Sequence, residues 1–210
     1  MTSETKGSMD CAPIIQVVDD DEFFQAAIAT LLRAAGYEVR TYSTAGHFLL
    51  ARDVERPGCI LLDLQLPGLS GLELQKALAM QPNRPPVIFL TGHGDIPSSV
   101  RAIKSGAVDF LTKPVEKEAL FAAVQNALAL DMERRTRREQ LQKWRARYEE
   151  LTEREREVFE GVVAGKLNKQ IADELGTAER TVKAHRAHVM EKLRVQSVAD
   201  LVRVAEQLRE

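Results

Sequence analysis

Short apolar runs alternate with longer amphipathic segments through residues 1–130. The short runs are rich in β-branched residues and bounded by polar or turn-forming residues, which is typical of buried strands. The longer segments repeat apolar residues every three or four positions, which is typical of helices that bury one face. The pattern predicts strands over 14–18, 39–42, 59–62, 87–90 and 108–111, and helices over 23–35, 43–52, 71–81, 96–104 and from 115 onward.

This strict alternation predicts an α/β domain with a doubly wound, five-stranded parallel sheet covered by helices on both faces. Ligands of such sheets bind outside the carboxyl ends of the strands, where the winding reverses. Polar residues follow four of the strands, and we expect them to meet at that edge. They are Asp19 and Asp20 after the first strand, Asp63 after the third, Thr91 after the fourth and Lys113 after the fifth.

Asp63 is the centre of this predicted site. It ends an apolar strand, and the turn residues Pro67 and Gly68 come only after it, so Asp63 caps no nearby helix. Charged side chains are rarely buried without partners, and a functional role explains the position better. Asp21, by contrast, is expected to be a helix N-cap.

The grouping of carboxylates points to a metal ion. Three carboxylates held together raise one another's pKa values, and a divalent cation relieves that repulsion. Ligands that are all oxygen atoms favour Mg²⁺. Asp63 can then act as a nucleophile toward phosphorus, as in enzymes that form an aspartyl phosphate. Lys113 would supply a positive charge for the phosphoryl oxygens, and Thr91 a hydroxyl donor.

At these positions the chain resembles the receiver domain of two-component response regulators, over about residues 13–130. The motifs that carry the resemblance are Val17-Val18-Asp19-Asp20, Asp63, Thr91 and Lys113-Pro114. The resemblance implies a flavodoxin-like fold, Asp63 as the phosphoacceptor and a sensor histidine kinase as the phosphoryl donor. It also implies a cis peptide bond before Pro114, a bond type that tolerates cis.

The same resemblance implies a ligand set and a switch. The implied ligands of Mg²⁺ are Asp19, Asp20, Asp63 and the backbone carbonyl of Gln65. The implied switch residues are Thr91 and Phe110, the latter at a position where many members carry Tyr. A phenylalanine can swing inward when Thr91 moves, but it cannot form the hydrogen bonds of a tyrosine. A plain core aromatic is the alternative interpretation of Phe110.

Residues 131–148 are predicted to be a helical linker. Apolar positions of helical spacing lie on both sides of a charged middle, and a charge run is usually a solvated face. A long helix that continues out of the first domain is the favoured interpretation, and a hinged segment is the alternative. The flanking apolar positions could also form a short coiled coil in a dimer.

Residues 149–210 have the pattern of an all-α, four-helix domain. Thr152 and Glu155 form a capping box at the start of the first helix. Asn168, Thr177 and the pair Ser197 and Asp200 are expected to cap the next three helices, over 169–175, 178–193 and up to about 208. A short helix, a glycine turn and a longer basic helix are the signature of a helix-turn-helix, whose second helix enters the major groove of DNA.

The two faces of the predicted recognition helix can be assigned from its periodicity. Val182, His185, Val189 and Leu193 form the packed stripe, so His185 is expected to be structural. Basic residues on the rest of the helix fit attraction to DNA phosphates together with base reading. Lys183 is the best candidate for a base contact, and Lys169 for a phosphate contact at a helix N-terminus. The full set of predicted DNA-binding residues is Lys169, Arg180, Thr181, Lys183, Ala184, Ala187 and His188.

The back half resembles the LuxR-type helix-turn-helix, through the motifs around 151–155, 165–176, 181–185 and 192–193. Over about 13–208 the whole chain resembles response regulators of the FixJ/NarL type. That resemblance implies double-stranded DNA as a partner, a homodimer on activation through the last helix over 199–208, and allows RNA polymerase as a further partner.

Composition refines this interpretation. The net charge is −2, but residues 1–130 are acidic on balance and residues 131–210 are basic, which suggests different partners for the two halves. No apolar run is long enough for a membrane span. Residues 1–12 are polar and are expected to be a mobile tail. The two cysteines form no disulfide framework, and a cytoplasmic location is expected.

Two other functions were weighed. A hydrolase of the haloacid dehalogenase type also uses a strand-end Asp, but it needs a second Asp two residues later, where Gln65 cannot transfer a proton. A DNA-binding protein with a phosphate-independent receiver would not need the complete set of acids. We therefore expect a phosphorylation-dependent transcription regulator and not a turnover enzyme.

Overall fold

The protein is described here by a computed structural model that covers residues 12–53, 56–81, 83–92 and 96–209. The chain divides into two compact units, with the division between Arg135 and Thr136. Most of the predicted N-terminal tail lies outside the described residues. None of the helices in the described ranges combines the length and the apolar character that crossing a membrane requires.

The first unit contains the predicted α/β sandwich. Its strands are β1 (Ile14–Val18), β2 (Glu38–Tyr42), β3 (Gly58–Asp63), β4 (Val87–Thr91) and β5 (Asp109–Thr112). Its helices are α1 (Glu22–Ala34), α2 (Ala45–Ala51), α3 (Gly71–Ala79), α4 (Ile96–Lys104) and α5 (Lys117–Glu149), and the last of these contains the division between the units. The strands form one parallel sheet in the order β2-β1-β3-β4-β5. The α/β class, the strand number and the parallel winding are therefore confirmed.

Strand β3 shows why its sequence is an unbroken apolar run. Successive side chains of a strand point to opposite faces of the sheet. Cys59 and Leu61 lie in the apolar cluster beneath α1 and α5, whereas Ile60 and Leu62 lie in the cluster beneath α2, α3 and α4. Both faces are covered, so every position of β3 is buried and the strand delivers Asp63 to the carboxyl edge.

The far end of β3 is held by a buried carboxylate from α5. Asp131 accepts a hydrogen bond of 2.9 Å from the backbone N–H of Gly58 and one of 2.7 Å from Arg135 Nε. Arg135 also donates through Nη2 to the carbonyl of Arg56, at 2.6 Å. A side chain at Gly58 would place its Cβ 2.0 Å from the carbonyl oxygen of Ile14, so only glycine fits there. Asp131 and Arg135 belong to the predicted linker segment, yet they bond to the first unit.

Several helix ends differ from the sequence prediction by one or two residues or by the choice of cap. Thr44, not Ser43, caps α2 and accepts from the N–H of His47 at 3.1 Å. Asp21 caps α1 as predicted, and the cis bond before Pro114 is present. Helix α3 ends at Ala79, two residues earlier than predicted.

The second unit contains four helices among its described residues: α6 (Glu153–Val163), α7 (Asn168–Leu175), α8 (Glu179–Leu193) and α9 (Val198–Arg209). They enclose one apolar cluster that includes Val158, Phe159, Val182, Val189 and Leu201. The capping box of Thr152 and Glu155 is confirmed.

Two predicted caps in this unit were wrong. Asn168 is the first helical residue of α7, and the cap position belongs to Leu167, whose N–H donates to Gln170 Oε1 at 2.8 Å. Ala178, not Thr177, precedes α8, and no side chain caps that helix. Both errors have the same cause: a polar residue lies next to the cap position, and sequence alone does not fix the register of a short helix.

Candidate functional site

The predicted acidic residues meet at the carboxyl edge of the sheet. Asp19 follows β1 and is fully buried, Asp20 is exposed beside it, and Asp63 ends the adjacent strand β3 with 7% of its surface exposed. One carboxylate oxygen from each of the three lies within 4.8 Å of the others. The order of the strands causes this meeting, because β1 and β3 are hydrogen-bonded neighbours in register.

The two buried carboxylates are held in the same way. Asp19 Oδ1 accepts from the N–H of Asp21, and Asp63 Oδ1 accepts from the N–H of Gln65, both at 3.0 Å. These bonds to an amide two residues ahead form local turns that fix the orientation of each carboxylate. Gly71 makes room beside the second turn, because a Cβ there would lie 2.2 Å from the carbonyl oxygen of Asp63.

Lys113 joins the remaining oxygens. Its Nζ lies 2.6 Å from Asp19 Oδ2 and 2.7 Å from Asp63 Oδ2. The same ammonium group lies 4.1 Å from the centre of the Phe24 ring, which is within the range of a cation–π interaction. From the sequence, Phe24 is only one of the apolar positions in the predicted helix over 23–35. Phe24 lies in the first turn of a helix that begins directly after the acids, and this position is the one sequence feature that indicates a contact with the site.

Burial and charge shift the pKa values in this cluster. Burial raises the pKa of the Asp19 carboxyl, and the charge of Asp63 adds to the effect, although Lys113 and the amide of Asp21 oppose it. Burial is also the largest influence on Lys113 and lowers its pKa, but the hydrogen bonds and charges of Asp19 and Asp63 together outweigh it and raise that pKa. The raised pKa of Asp19 shows that its hydrogen bonds and the Lys113 ammonium do not fully offset the cost of burying its charge.

The donor set therefore fits a divalent cation. Asp19, Asp20 and Asp63 each offer a carboxylate oxygen, and these oxygens lie within 4.8 Å of one another. Hard oxygen ligands of this kind suit Mg²⁺, which binds through a few carboxylates and keeps positions for phosphate oxygens. The backbone N–H of Gln65 donates to Asp63, and a role for the backbone carbonyl of Gln65 as a metal ligand remains a prediction.

The predicted switch residues lie on the neighbouring strands. Thr91 is fully buried at the end of β4 and follows Leu90, the residue that pairs with Asp63. Phe110 on β5 pairs with Phe89, and their ring centres are 6.3 Å apart. The Phe110 ring is half-buried against the apolar cluster beneath α3 and α4. A switching role for either residue remains a prediction.

In the second unit, α8 presents two faces, largely as its periodicity predicted. Val182, Val189 and Leu193 are buried, and His185 is half-buried. The predicted DNA-binding residues are exposed, except for Thr181, which is half-buried; the exposed ones are Lys169, Arg180, Lys183, Ala184, Ala187 and His188. Lys183 Nζ lies 3.1 Å from Glu179 Oε1, a surface ion pair that can open readily.

The sheet with its acids and lysine, followed by a helix-turn-helix unit, defines a receiver domain joined to a DNA-binding module. Comparison with known proteins supports this class. The family of response regulator receiver domains matches residues 15–125, and the luxR family of bacterial regulatory proteins matches residues 149–205.

Relatives of known name extend over nearly the whole chain. The response regulator protein TmoT of Ectopseudomonas mendocina is 44% identical over 197 residues, which cover 94% of this chain and 90% of TmoT. Nodulation protein W of Bradyrhizobium diazoefficiens is 44% identical over 195 residues, covering 93% of this chain and 86% of that protein.

Two solved structures of response regulators are also similar. The structure of StyR has a TM-score of 0.81 and 46% identity, and covers 93% of this chain and 99% of StyR. Full-length FixJ from B. japonicum has a TM-score of 0.56 and 38% identity, and covers 94% of this chain and 97% of that one. The chain therefore belongs to the two-component response regulators that combine a receiver domain with a LuxR-type DNA-binding domain.

Proposed function

We propose that Asp63 accepts a phosphoryl group and that this modification controls dimerisation and DNA binding. The observation that carries the proposal is the geometry of Asp63: its carboxylate ends β3, is oriented by the N–H of Gln65 and lies 2.7 Å from Lys113, with two more carboxylates alongside. This arrangement combines a fixed nucleophile with positive charge for the incoming phosphate.

The reaction is a transfer from the phosphohistidine of a sensor histidine kinase. A carboxylate oxygen of Asp63 attacks phosphorus, the bond between phosphorus and the histidine nitrogen breaks, and the imidazole leaves with the electron pair. Asp19, Asp20, Asp63 and the carbonyl of Gln65 would hold Mg²⁺, which supplies positive charge to the phosphoryl oxygens when it is bound. Lys113 then exchanges its contact with Asp63 for one with the phosphoryl group.

Gln65 explains why the acyl phosphate is held and not turned over quickly. A side-chain acid two residues after the nucleophile would activate water, whereas an amide cannot take up a proton. We therefore propose a regulator and not a turnover enzyme, acting in the cytoplasm where its kinase partner presents the phosphohistidine.

The phosphorylated state is read by Thr91 and Phe110. In the proposed switch the Thr91 hydroxyl moves to donate to the phosphoryl group, and the Phe110 ring moves into the space that this opens. Because phenylalanine has no hydroxyl, the change is one of packing. Phosphorylation must favour the active state by a few kcal/mol to shift such an equilibrium far.

Dimerisation through α9 then pairs two α8 helices on double-stranded DNA. Two-fold related recognition helices reach half-sites that are about one turn of DNA apart. Lys183 reads a base edge, Lys169 contacts a phosphate, and Arg180, Thr181, Ala184, Ala187 and His188 complete the interface. RNA polymerase is the partner through which the bound dimer would act on transcription.

The proposal is tested on the full-length chain and on Asp63→Asn. Acetyl phosphate or beryllofluoride with Mg²⁺ is added, and the molecular mass in solution and the affinity for DNA are measured. We expect both to increase in the unmodified chain and neither to change in the variant. A wild-type protein whose mass and affinity do not respond would refute the switch.

A further inference from the structure

A second group of metal-ligating side chains lies in the C-terminal unit. Glu155 on α6 and His185 and His188 on α8 bring one carboxylate oxygen and two ring nitrogens within 4.8 Å of one another. The two histidines are three residues apart, so they project from the same face of α8. This group lies outside the receiver and takes no part in the chemistry proposed for Asp63.

The carboxylate of Glu155 is fixed through one of its oxygens only. Oε2 accepts from the N–H of Thr152 at 2.8 Å and from Lys192 Nζ at 2.6 Å. Oε1 lies 3.9 Å from His188 Nδ1 and accepts no hydrogen bond from any described residue. The side chain as a whole is almost fully buried, so its carboxylate is held in one orientation beside the two histidines.

Glu155 is nevertheless held in its charged form. Burial is the largest influence and raises its pKa, but Lys192 and the Thr152 amide and hydroxyl together lower the pKa below its usual value. The free oxygen is therefore that of an oriented carboxylate directed toward two imidazoles.

We propose that Glu155, His185 and His188 bind a divalent transition-metal ion of the Zn²⁺ type. Two imidazoles and one carboxylate are a common set of protein ligands for zinc when the remaining positions belong to water. Bonds of about 2.0–2.2 Å at tetrahedral angles place ligand atoms about 3.4 Å apart. Small rotations of the side chains would bring the ligand atoms from their present spacing to this distance. His188 is free to rotate because 60% of its side chain is exposed.

The surroundings allow an open coordination sphere. The exposed side of His188 leaves room for water ligands, and His185 also lines a neighbouring cavity of about 290 Å³ together with Arg154, Leu175 and Thr181. Lys192 opposes the ion with its own positive charge, so the site should bind zinc more weakly than a closed structural site does. Because His188 lies on the face proposed to meet DNA, the ion would be bound at the edge of that face.

The site is tested with Zn²⁺ itself on the full-length protein. Titration calorimetry compares the wild type with His188→Gln and with His47→Gln, a matched control in which an exposed histidine of α2 is changed. The receiver carboxylates are present in all three proteins, so a difference between them reports on α8. We expect His188→Gln to lose one zinc equivalent or to weaken it by at least about tenfold, and His47→Gln to match the wild type.

The role of the second histidine is tested with His185→Gln. A folded His185→Gln protein should lose the same equivalent, and zinc should raise the melting temperature of the wild type more than that of either variant, because the receiver carboxylates are common to all of them. If His185→Gln does not fold, the comparison of His188→Gln with the wild type and with His47→Gln decides whether the zinc site exists. Equal zinc binding by the wild type, His188→Gln and His47→Gln would overturn the proposal, and that result would leave the function proposed for Asp63 unaffected.

Discussion

The acidic site of the receiver and the exposed face of α8 are both rich in charge, but they are built in opposite ways. The receiver site draws its residues from different strands, buries Asp19 and Asp63 and joins these two by short contacts to Lys113. The α8 face takes its residues from one helix, exposes them and leaves them with weak surface pairs. A substitution in the first should therefore disturb folding and chemistry together, whereas one in the second should change binding alone.

The sharpest test of this contrast is the same substitution at two lysines. Lys113→Met leaves the buried carboxylates of Asp19 and Asp63 without their ammonium, and we expect the free energy of unfolding of the first unit to fall by about 3 kcal/mol. Lys183→Met removes an exposed pair and should change stability by less than about 0.5 kcal/mol. Urea unfolding of the full-length variants measures both. Similar losses at the two positions would contradict the contrast.

For DNA binding we expect the opposite order of effects, with the larger loss from the substitution on α8. Lys183→Met is expected to reduce discrimination between a selected binding sequence and random DNA by about 10- to 100-fold, because a base contact is lost. Lys169→Met should weaken binding to all sequences equally and lower the slope of affinity against salt by about one. Fluorescence anisotropy over a range of salt concentrations separates the two. An equal loss on every sequence for Lys183→Met would make that residue a phosphate contact.

A smaller effect is expected at Phe24. Phe24→Leu keeps an apolar side chain but removes the ring face that lies 4.1 Å from the Lys113 ammonium. We expect phosphorylation by acetyl phosphate to slow by about 3- to 10-fold, because Lys113 is held less firmly. Phe23→Leu is the matched control, since the neighbouring ring is 91% exposed. Equal rates for the two variants would show that the Phe24 ring does not position Lys113.

The smallest predicted effect concerns Asp19 and pH. Its pKa is raised in the folded protein, so the folded state binds a proton more readily than the unfolded state does. The charged form therefore costs stability above the folded pKa, and this cost shrinks as pH falls below that value and is gone below the lower pKa of the unfolded state. Asp19→Asn, measured with chelator present, should stabilise the protein by about 1 kcal/mol at neutral pH and progressively less in acid.

The exposed neighbour Asp20 provides the control for that measurement. Asp20→Asn removes an exposed carboxylate of the same cluster and should change stability by less than about 0.5 kcal/mol. A stabilisation by Asp19→Asn that persists unchanged at low pH would show that the charge of Asp19 is not its cause.

The same contrast explains how much the sequence could predict. The position of Asp19, Asp63, Thr91 and Lys113 at the carboxyl ends of the strands could be predicted because parallel winding brings these ends together, whatever the details of packing. The two faces of α8 followed from helical periodicity. The contact of Phe24 with Lys113 could not be predicted from the sequence. Helical periodicity indicates which face of a helix is buried, but not which cation lies above an aromatic ring on that face.

Asp131 shows a second limit. A run of charged residues usually marks a solvated surface, and the segment around Asp131 was interpreted in that way. Asp131, which lies just before the charged run at 133–139, is nevertheless buried, because the N–H of Gly58 needs an acceptor at the start of β3. This requirement for a hydrogen-bond acceptor comes from a backbone N–H group on a distant strand. The pattern of side chains along α5 gives no indication of it.

The most direct test of the account is to locate the phosphoryl group on the full-length protein. After reaction with acetyl phosphate and Mg²⁺, the acyl phosphate is trapped by reduction, and the modified peptide is identified by mass spectrometry. The account predicts modification at Asp63 alone and none in Asp63→Asn. Modification at Asp19 or Asp20, or undiminished modification of the Asp63→Asn protein, would contradict it.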